Sequence, residues 1–456
     1  MEITRSQKFN INYAAKIVKL EEFKPHPNPE VTKLQMAKVD GFNVVVGIDT
    51  CPGSIQIYFP VGCSICDKFL SENNLFSHNY MNSDTTQKGY FEDNGRVKPI
   101  RLKGVNSEGF LAPIESLTTA FKIDLSNLED VINTDFDTID GIKLCKKYII
   151  QGRHEPKVKS NNPKYKVKKS QAIRLVENQF RFHIDTIGIR KVPYSINPDD
   201  LISITHKVHG TSAISAMLLQ QIPIKENWFK KILRKMFTNN PIPTEVKYLD
   251  TCASRTVIKD IHNNPKLGNG FYQTNIWEVA HNQIKNLLKN GMTLYYEIIG
   301  YLPNGSYIQK GFDYGFVQPI TNYMFKIHYG IRVYRITYTN DVGDVFEFSA
   351  KQVQQWCKNN NLIPVEEVYY GLAKDLYPDL DLENHWNENF IDKLANDETF
   401  YMELNSPHCI NMVPHEGVVI RKETLGINSY KLKTFRFLGK ESRLMSLGES
   451  DIENEN

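Results

Sequence analysis

Residues 205–212 read Thr-His-Lys-Val-His-Gly-Thr-Ser, and the motifs of the chain are organised around this stretch. Leu201, Ser203 and Thr205 alternate before it as in a strand, and a second alternating segment follows it, so the pattern predicts two strands joined by a tight turn. The turn holds Lys207, and a lysine becomes a nucleophile when desolvation or neighbouring cations lower its pKa from about 10.4. Taken alone, the stretch is a weak signal, and such a pattern more often marks a strand lysine beside a hairpin glycine.

The composition is that of a soluble globular protein with room for two or three domains. The chain has 456 residues, of which 41% are hydrophobic and 23% are charged, and this length supports a sizeable core. The formal net charge is only +3. A nucleic-acid-binding surface must therefore be a local basic patch and not a global excess of positive charge.

The cysteines and the apolar runs predict a cytoplasmic protein. Seven cysteines, an odd number in a long chain, disfavour a secreted disulfide framework and favour a reducing compartment. Cys63 and Cys66 form a C-x-x-C pair, but no second pair with zinc-ligand spacing follows, so a metal or redox role there is disfavoured. Residues 1–10 carry no apolar signal core, and no run reaches the ~18 apolar residues that span a bilayer, so we expect no membrane association.

Residues 1–150 have the pattern of an all-β domain. Strands are predicted at Tyr13–Leu20, Leu34–Val39, Phe42–Ile48 and Ile55–Pro60, and glycines punctuate them at short spacings. Short strands broken by turns predict a small barrel or sandwich. A further strand with basic residues fits either a groove along a phosphate backbone or a solvated strand face, and these residues are Arg96, Lys98, Arg101 and Lys103.

A basic linker is predicted at residues 151–170, before a second domain at residues 171–456. Glycine, proline and asparagine break regular structure in this segment, and six lysines make it positive. The lysines either contact phosphates or are simply solvated. The acidic end of the chain, from residue 449 to residue 456, has the composition of a disordered tail.

Four charged residues farther along the chain lie in strand-like segments, where a charge is costly unless it has a partner. Glu297 interrupts the apolar segment Leu294–Gly300, and a carboxylate there must be paired or lie near a cation. Glu416 directly precedes a glycine and a β-branched run. Lys431 and Lys433 fall on the same face of one strand because side chains repeat every two residues, and two like charges there are unfavourable without an anion between them.

Together with Lys207, these residues supply a complete chemistry. The lysine attacks the α-phosphate of a nucleotide, while Glu297 and Glu416 hold a hard divalent ion directly or through its waters. Lys431 and Lys433 contact the phosphates, and their positive field helps to keep the nucleophile unprotonated. In-line phosphoryl transfer needs positioning and charge neutralisation more than acid–base groups. This set of residues provides both.

The order of the motifs resembles the covalent nucleotidyltransferase superfamily of polynucleotide ligases and capping enzymes. K-x-H-G begins at Lys207 and is followed by S-R, Y-E-I-x-G, a tyrosine-containing strand, E-G-V-V-I-R and K-L-K, which ends at Lys433. His209 stands where an aspartate is usual. This histidine, and an N-terminal part similar to OB-type modules in its His-Pro-Asn-Pro at residues 26–29, resemble the ATP-dependent RNA ligases that seal nicks with an RNA 3′-OH end.

The resemblance implies a fold and a set of roles. The fold is α+β, with an antiparallel-sheet nucleotidyltransferase domain that has Lys207 at the floor of its ATP cleft, preceded by an all-β OB-type barrel. Lys207, Lys431, Lys433 and Glu416 would be catalytic, and Glu297 and Glu416 would hold the metal. Tyr334 would stack on adenine, and Arg255 would contact the ribose or the 5′-phosphate. The implied ATP-binding set is His206, Lys207, His209, Gly210, Arg255, Glu297, Tyr334, Glu416, Lys431, Lys433, and, for the β- and γ-phosphates, Arg181 and Asp185.

The implied cofactors are ATP and either Mg²⁺ or Mn²⁺, and the implied partner is RNA. The enzyme would join a 3′-OH RNA end to a 5′-phosphate end through a lysyl-AMP intermediate, in RNA repair, at nicks in a duplex that can include RNA/DNA hybrid ends. No obligate protein partner is evident. The roles of Cys63, Cys66 and the insertion at residues 219–250 stay open.

Three alternatives share parts of this pattern. An mRNA-capping guanylyltransferase uses the same lysine chemistry but carries its OB module after the catalytic domain, whereas only about 25 residues follow Lys431. A DNA ligase is disfavoured by the same missing module and by His209. A catalytically inactive RNA-binding protein has no need of all five of the residues Lys207, Glu297, Glu416, Lys431 and Lys433.

Overall fold

The structure is a computed structural model that describes residues 2–150, 172–229, 232, 234, 242–263, 275–317, 328–426 and 428–449. The predicted basic linker at 151–170 and the predicted acidic tail beyond residue 449 lie outside these ranges. Within them, no helix has both the length and the apolar character needed to cross a bilayer.

The first described part, residues 2–150, is built from short strands and two short helices. The strands are β1 (Ile3–Thr4), β2 (Ala15–Lys19), β3 (Phe23–Pro25), β4 (Leu34–Val39), β5 (Phe42–Gly47), β6 (Ile55–Pro60), β7 (Cys63–Ile65), β8 (Ile100–Leu102), β9 (Val105–Ser107), β10 (Gly109–Pro113), β11 (Asp135–Phe136), β12 (Thr138–Ile139), β13 (Ile142–Lys143) and β14 (Cys145–Lys147). The helices are α1 (Asp67–Glu72) and α2 (Glu115–Phe121).

Strand β6 organises this first part because both of its faces are buried. It pairs antiparallel with β2 on one side and β10 on the other. Ile57 and Phe59 point into a core shared with both helices, whereas Tyr58 points into a second core shared with β4 and β5, as alternation along a strand requires. The strands predicted at Leu34–Val39 and Ile55–Pro60 are confirmed with these bounds.

The predicted basic strand near residue 100 is wrong in its extent. Only Ile100–Leu102 is extended there, and Lys103 begins a turn with a φ of 48°. The guanidinium of Arg96 is buried, and it donates hydrogen bonds to the Ser442 carbonyl oxygen at 2.9 Å and to Ser446 Oγ at 2.8 Å. Lys98 pairs with Glu92. Arg96 therefore docks the C-terminal helix and is not available to a phosphate backbone.

The second part, from residue 172 onward, contains longer strands and further helices. The strands are β15 (Arg174–Leu175), β16 (Ile187–Gly188), β17 (Leu201–His206), β18 (Thr211–Pro223), β19 (Thr244–Ser254), β20 (Ile258–Lys259), β21 (Met292–Gly300), β22 (Tyr329–Thr339), β23 (Val345–Glu347), β24 (Glu367–Leu372), β25 (Gly417–Lys422) and β26 (Ser429–Lys433). The helices are α3 (Ile276–Ile284), α4 (Ala350–Asn359), α5 (Ala373–Leu376), α6 (Trp386–Ala395) and α7 (Phe435–Ser446).

These strands form two sheets that are mostly antiparallel. One has the order β20-β19-β18-β21-β22-β23, with β15 paired to β18, and the other has the order β16-β26-β25-β17-β24. The pair β16–β26 is parallel. The chain is thus mixed α and β, as expected. The strands on either side of Lys207 do not form a hairpin, because β17 pairs with β24 and β25 while β18 pairs with β19 and β21. The turn passes from one sheet to the other.

Strand β21 shows how the sequence directs Glu297 toward the space between the sheets. Every residue of β21 is buried. Leu294, Tyr296 and Ile298 pack in a core with α3 and α4. Because side chains alternate, Glu297 lies on the opposite face of the sheet.

Polar contacts join the two parts of the chain. Lys191 donates to Asp135 at 2.9 Å and to the Ala14 carbonyl oxygen at 3.2 Å. Asn12 accepts from the backbone N–H of Gly188 at 2.7 Å. These contacts hold residues 10–13 against the second part, beside the space between its sheets.

Candidate active site

A cleft of about 290 Å³ lies between the two sheets of the second part. This volume is at the lower end of the ~300–1,000 Å³ typical of small-molecule sites. The structure brings together at this cleft many of the residues that the sequence indicated. Those lining it are Asp185, Lys207, Arg255, Glu297, Tyr334, Lys431 and Lys433.

Glu416 lies beneath the cleft and contacts three basic side chains. Its Oε1 is 2.8 Å from Lys207 Nζ and 3.6 Å from Lys433 Nζ, and its Oε2 is 3.3 Å from His209 Nδ1. Only 1% of its side chain is exposed. Burial alone would raise the pKa of Glu416, but Lys207, His209 and Lys433 outweigh burial and lower the pKa to about 2. Glu416 is therefore an ionised carboxylate at neutral pH.

Backbone contacts fix Lys207 and Glu416 relative to each other. The Lys207 N–H donates to the Gly417 carbonyl oxygen at 2.8 Å. Gly417 has a φ of 132°, and a Cβ there would overlap the carbonyl oxygen of Leu432 in the neighbouring strand. Only glycine fits this backbone without strain. The Glu-Gly pair thus places the carboxylate directly beside the lysine.

The turn that follows Lys207 is held by side chains from the segment after β21. Tyr314 Oη accepts from the His209 N–H at 3.0 Å and donates to the His209 carbonyl oxygen at 2.8 Å. Gln309 donates to the Gly210 carbonyl oxygen at 2.6 Å. A Cβ on Gly210 would lie 2.5 Å from the Ile298 carbonyl oxygen and 3.1 Å from Glu297 Oε2. Because Gly210 has no side chain, Glu297 can lie close to the turn. His209, in the same turn, contacts Glu416.

A second charged cluster is centred on Asp185. Its Oδ1 accepts from Arg255 Nη2 at 3.0 Å and from Lys431 Nζ at 3.1 Å, and its Oδ2 accepts from Asn10 Nδ2 at 3.0 Å. Burial alone would raise the pKa of Asp185, but Lys431 and Arg255 hold it well below its usual range. The carboxylate thus bridges the two cations to which the sequence assigned phosphate contacts. Its position supports a role in holding those cations more than direct contact with a phosphate.

The two lysines of β26 lie on one face of the strand, and protein carboxylates compensate both. Lys431 pairs with Asp185, and Lys433 pairs with Glu416 and with Glu441, the latter at 3.2 Å. Burial lowers the pKa of Lys431, and the nearby Lys433 and Lys207 act in the same direction, against the opposing effect of Asp185. The negative charge that two lysines on one strand face require is therefore supplied by carboxylates of the chain itself.

Tyr334 forms one wall of the cleft. Its hydroxyl is 3.1 Å from Ser212 Oγ and 3.3 Å from His183 Nδ1. Its ring is partly buried against a small apolar cluster that includes Val208 and Val365. An aromatic ring fixed at its hydroxyl end suits the stacking of a flat base.

Two residues of the sequence-derived ATP set point elsewhere. The guanidinium of Arg181 donates to the carbonyl oxygens of Asn178 at 2.7 Å and Gly343 at 3.3 Å, so it caps a loop and does not reach the phosphate region. His206 borders the cleft, but alternation turns its imidazole to the far side of β17, where Nδ1 lies 2.9 Å from His408 Nε2. Burial, aided by His408, lowers the pKa of His206 to about 4.

Sequence reasoning missed several residues that the fold carries to the cleft. Tyr13 and Lys147 line it although both come from the first part of the chain, and Asn10 holds Asp185. Nothing in their local sequence signals this, because the contacts depend on how residues 2–150 pack against the second part. His183 also lines the cleft, and it lies two residues before Asp185 in an aromatic and charged segment for which core packing and a phosphate-facing role were equally consistent with the sequence.

Comparison with known proteins gives matches in structure only. No protein-family model matches the sequence, and no curated protein sequence matches it. The fold is similar to solved structures of Naegleria gruberi RNA ligase. An apo lysine-to-alanine variant of that enzyme has a TM-score of 0.51 and 16% sequence identity, covering 94% of this chain and 98% of that one.

Two ligand-bound structures of the Naegleria gruberi enzyme give the same result. A variant with ATP and Mn has a TM-score of 0.51 and 16% identity, and one with AMP and Mn has a TM-score of 0.51 and 15% identity; each match covers 94% of this chain and 99% of the other. The chain therefore has the fold of these RNA ligases over almost its whole length.

Proposed function

We propose that this chain is an ATP-dependent RNA ligase that forms a covalent lysyl-AMP intermediate at Lys207. The observation that carries the proposal is the amine of Lys207, which lies at the cleft, 2.8 Å from Glu416 and among the cations of Arg255, Lys431 and Lys433. The similar structures include complexes of an RNA ligase with ATP and Mn and with AMP and Mn, which supports the same nucleotide and metal here.

In the first step, the Lys207 amine forms a bond to the α-phosphorus of ATP, and the bond from that phosphorus to the bridging oxygen breaks, so that pyrophosphate leaves. The amine must give up its proton and its pairing with Glu416 before it attacks. Lys431 and Lys433 neutralise charge on the α-phosphate, and Arg255 contacts the same oxygen of Asp185 as Lys431 does. Tyr334 stacks on adenine.

The donors suit a hard divalent ion. Glu297 and Glu416 are both buried carboxylates, and oxygen ligands of this kind are preferred by Mg²⁺ and Mn²⁺. A bound ion would neutralise the developing phosphate charge. Both carboxylates would hold the ion, and Glu416, which pairs with Lys207, would link the ion site to the nucleophile. His209 replaces the usual aspartate and lies beside Glu416.

In the second step an oxygen of the RNA 5′-phosphate attacks the phosphorus of lysyl-AMP and displaces the Lys207 amine. In the third step the 3′-OH attacks the phosphorus of that 5′-phosphate, which joins the ends, and AMP leaves. We infer that the RNA end approaches along the boundary between the two parts of the chain. A second cavity, of about 150 Å³, lies there and shares Tyr13, Lys147, Lys431 and Lys433 with the cleft. Nicked duplexes, including RNA/DNA hybrid ends, are the substrates proposed for this surface, and RNA repair is the proposed process.

The proposed domain division keeps the bounds drawn from sequence. Residues 1–150 form an OB-type module, which the antiparallel sheets of β1–β14 support. Residues 151–170 form a basic linker, and residues 171–456 form the nucleotidyltransferase domain. We also propose a cytoplasmic location, with no obligate protein partner.

Covalent labelling tests the proposal. The purified protein is incubated with Mg²⁺ and α-labelled ATP or α-labelled GTP, denatured and separated, with Lys207→Ala and the exposed-lysine control Lys289→Ala alongside. We expect label from ATP in the wild type and in Lys289→Ala, and none in Lys207→Ala. Label from GTP would identify a capping guanylyltransferase. A folded protein that binds RNA but takes up neither label would be an inactive RNA-binding protein.

A further inference from the structure

Three metal-ligand atoms converge on the side of β17 that faces away from the Lys207 amine. His206 Nδ1 lies 2.9 Å from His408 Nε2. Glu366 Oε2 lies 3.4 Å from the His206 nitrogen and 3.6 Å from the His408 nitrogen. These residues come from three separate segments: the end of β17, the residue before β24 and the loop that precedes β25.

The triangle has the dimensions of one face of a tetrahedral zinc site. Zn²⁺ bonds of about 2.0–2.1 Å in tetrahedral geometry hold neighbouring ligand atoms about 3.3 Å apart. The separations of 2.9, 3.4 and 3.6 Å lie close to this value. Two imidazole nitrogens and one carboxylate oxygen also form a ligand set that zinc uses in proteins, with water as the fourth ligand.

The surroundings favour an ion over a simple hydrogen bond between the histidines. Without an ion, one of the two facing nitrogens must carry a proton, which bridges only one pair of the three atoms, whereas an ion can contact His206 Nδ1, His408 Nε2 and Glu366 Oε2 at once. The Glu366 side chain is 58% exposed, so water can reach the fourth position.

We propose that His206, His408 and Glu366 bind one zinc-class divalent ion, separate from the Mg²⁺ or Mn²⁺ proposed for the cleft. The proposed role of the ion is to hold the neighbouring backbone segments in place. Lys207 directly follows one ligand, and His415, whose ring lies 4.9 Å from that of His206, directly precedes Glu416. An ion on the far side of β17 would therefore fix the segments that carry the nucleophile and its carboxylate partner.

Zinc retention by the full-length protein tests this proposal. The wild type, His408→Ala and Glu366→Gln are equilibrated with Zn²⁺ in excess Mg²⁺, which occupies the cleft, then desalted and analysed by atomic emission. We expect one zinc ion per chain in the wild type and a loss of most of it in both variants. Glu416→Gln and Lys207→Ala are the matched controls, and both are expected to retain zinc while they lose covalent labelling.

Cobalt substitution gives a second readout that does not depend on activity. Co²⁺ in a tetrahedral site with nitrogen ligands absorbs in the visible range, and this band is expected in the wild type and in Glu416→Gln but not in Glu366→Gln. Circular dichroism shows whether each variant is folded. A wild type that retains no zinc, or folded variants that retain as much as the wild type, would overturn the proposal. A labelling failure with zinc retained would count against the ligase assignment alone.

Discussion

The ion pair of Lys207 with Glu416 keeps the proposed nucleophile in a resting state. A carboxylate 2.8 Å from the amine stabilises the protonated lysine, which cannot attack phosphorus. Glu416 has two proposed roles, which are to pair with Lys207 and to hold a divalent ion together with Glu297, which lines the cleft above it. The lysine must lose its proton before it can attack.

Glu416→Gln separates these roles. The amide cannot ligate a divalent ion as strongly and leaves Lys207, His209 and Lys433 without their common anion. We expect formation of lysyl-AMP to fall by at least ~100-fold and the free energy of unfolding to fall by about 3 kcal/mol, because removing one partner of a buried pair leaves the others uncompensated. Single-turnover labelling and urea denaturation measure the two effects. Glu245→Gln, in an exposed pair with Lys247, should change neither.

The pH dependence of the stability of Asp185→Asn tests the role of the charged cluster centred on Asp185. The folded-state pKa of Asp185 is depressed by Lys431 and Arg255, so its stabilising contribution is complete above the unfolded pKa of about 3.9 and is lost as pH falls toward the folded value. The variant should be less stable than the wild type at pH 7, by an amount that is constant down to about pH 5 and shrinks below about pH 4. Urea denaturation over this range measures the difference. A gap that widened on acidification would contradict the assignment.

At the scale of elements, the junction of β17, β18 and β25 creates the site. Lys207 leaves one sheet for the other, and the Gly417 carbonyl of β25 holds its backbone N–H. This arrangement needs a glycine where β25 meets β26, since a Cβ at Gly417 would overlap the Leu432 carbonyl oxygen. Sheet pairing and the geometry of the candidate site are thus set by the same residues.

Gly417→Ala should therefore damage both stability and labelling. The φ of 132° is a conformation that L side chains avoid, and forcing one there costs about 1–3 kcal/mol, to which the steric overlap adds. Thermal denaturation should show a clear decrease in Tm. Gly426→Ala, in the loop between β25 and β26 with no atom near its added Cβ, is the matched control and should behave like the wild type. Equal effects of the two substitutions would contradict this account.

Alternation along strands explains which elements the sequence could predict. The bounds of β4 and β6, and the shared face of Lys431 and Lys433, follow from a period of two. The same rule does not tell which sheet a strand joins, so β17 and β18 could not be separated from a hairpin. Nor does it tell which face of β17 borders the cleft, so the sequence could not show that the His206 imidazole lies on the far side of the strand, beside His408.

At the scale of the whole molecule, residues 2–150 complete the cleft of the second part. Asn10 holds Asp185, and Tyr13 and Lys147 line the cleft. Lys191, with a side chain only 1% exposed, ties the parts together through Asp135. The proposed RNA-binding module would thus act on the nucleotide site directly.

Lys191→Ala should weaken this docking strongly. It leaves Asp135 and the Ala14 carbonyl oxygen without their donor in a buried interface, at a cost of about 3–5 kcal/mol. Lys38→Ala removes another contact between the parts, the 2.6 Å pair with Asp392, but Asp392 is 31% exposed and keeps Arg190 as a second partner, so we expect a smaller loss of about 1 kcal/mol. Chemical denaturation should rank the variants in this order. A reversed order would contradict the view that the buried pair fixes the interface.

The sequence predicted the residues of the candidate site better than it predicted how the two parts of the chain pack together. Lys207, Arg255, Glu297, Tyr334, Lys431 and Lys433 come together at the cleft with Glu416 beneath it, because motif order and strand alternation carry enough information to place them. For Arg96 the sequence left open a groove along a phosphate backbone and a solvated strand face, both of which are exposed settings. Its burial against Ser442 and Ser446 depends on a contact between distant parts of the chain, which no local pattern encodes.

The most direct test of the central claim is to locate the adduct. The protein is incubated with ATP and Mg²⁺, digested, and its peptides are sequenced by mass spectrometry under conditions that preserve a phosphoramidate. The account predicts AMP on the Lys207 side chain, and no adduct on Lys431 or Lys433. AMP on either of those lysines, or a folded protein that carries no adduct at all, would contradict it.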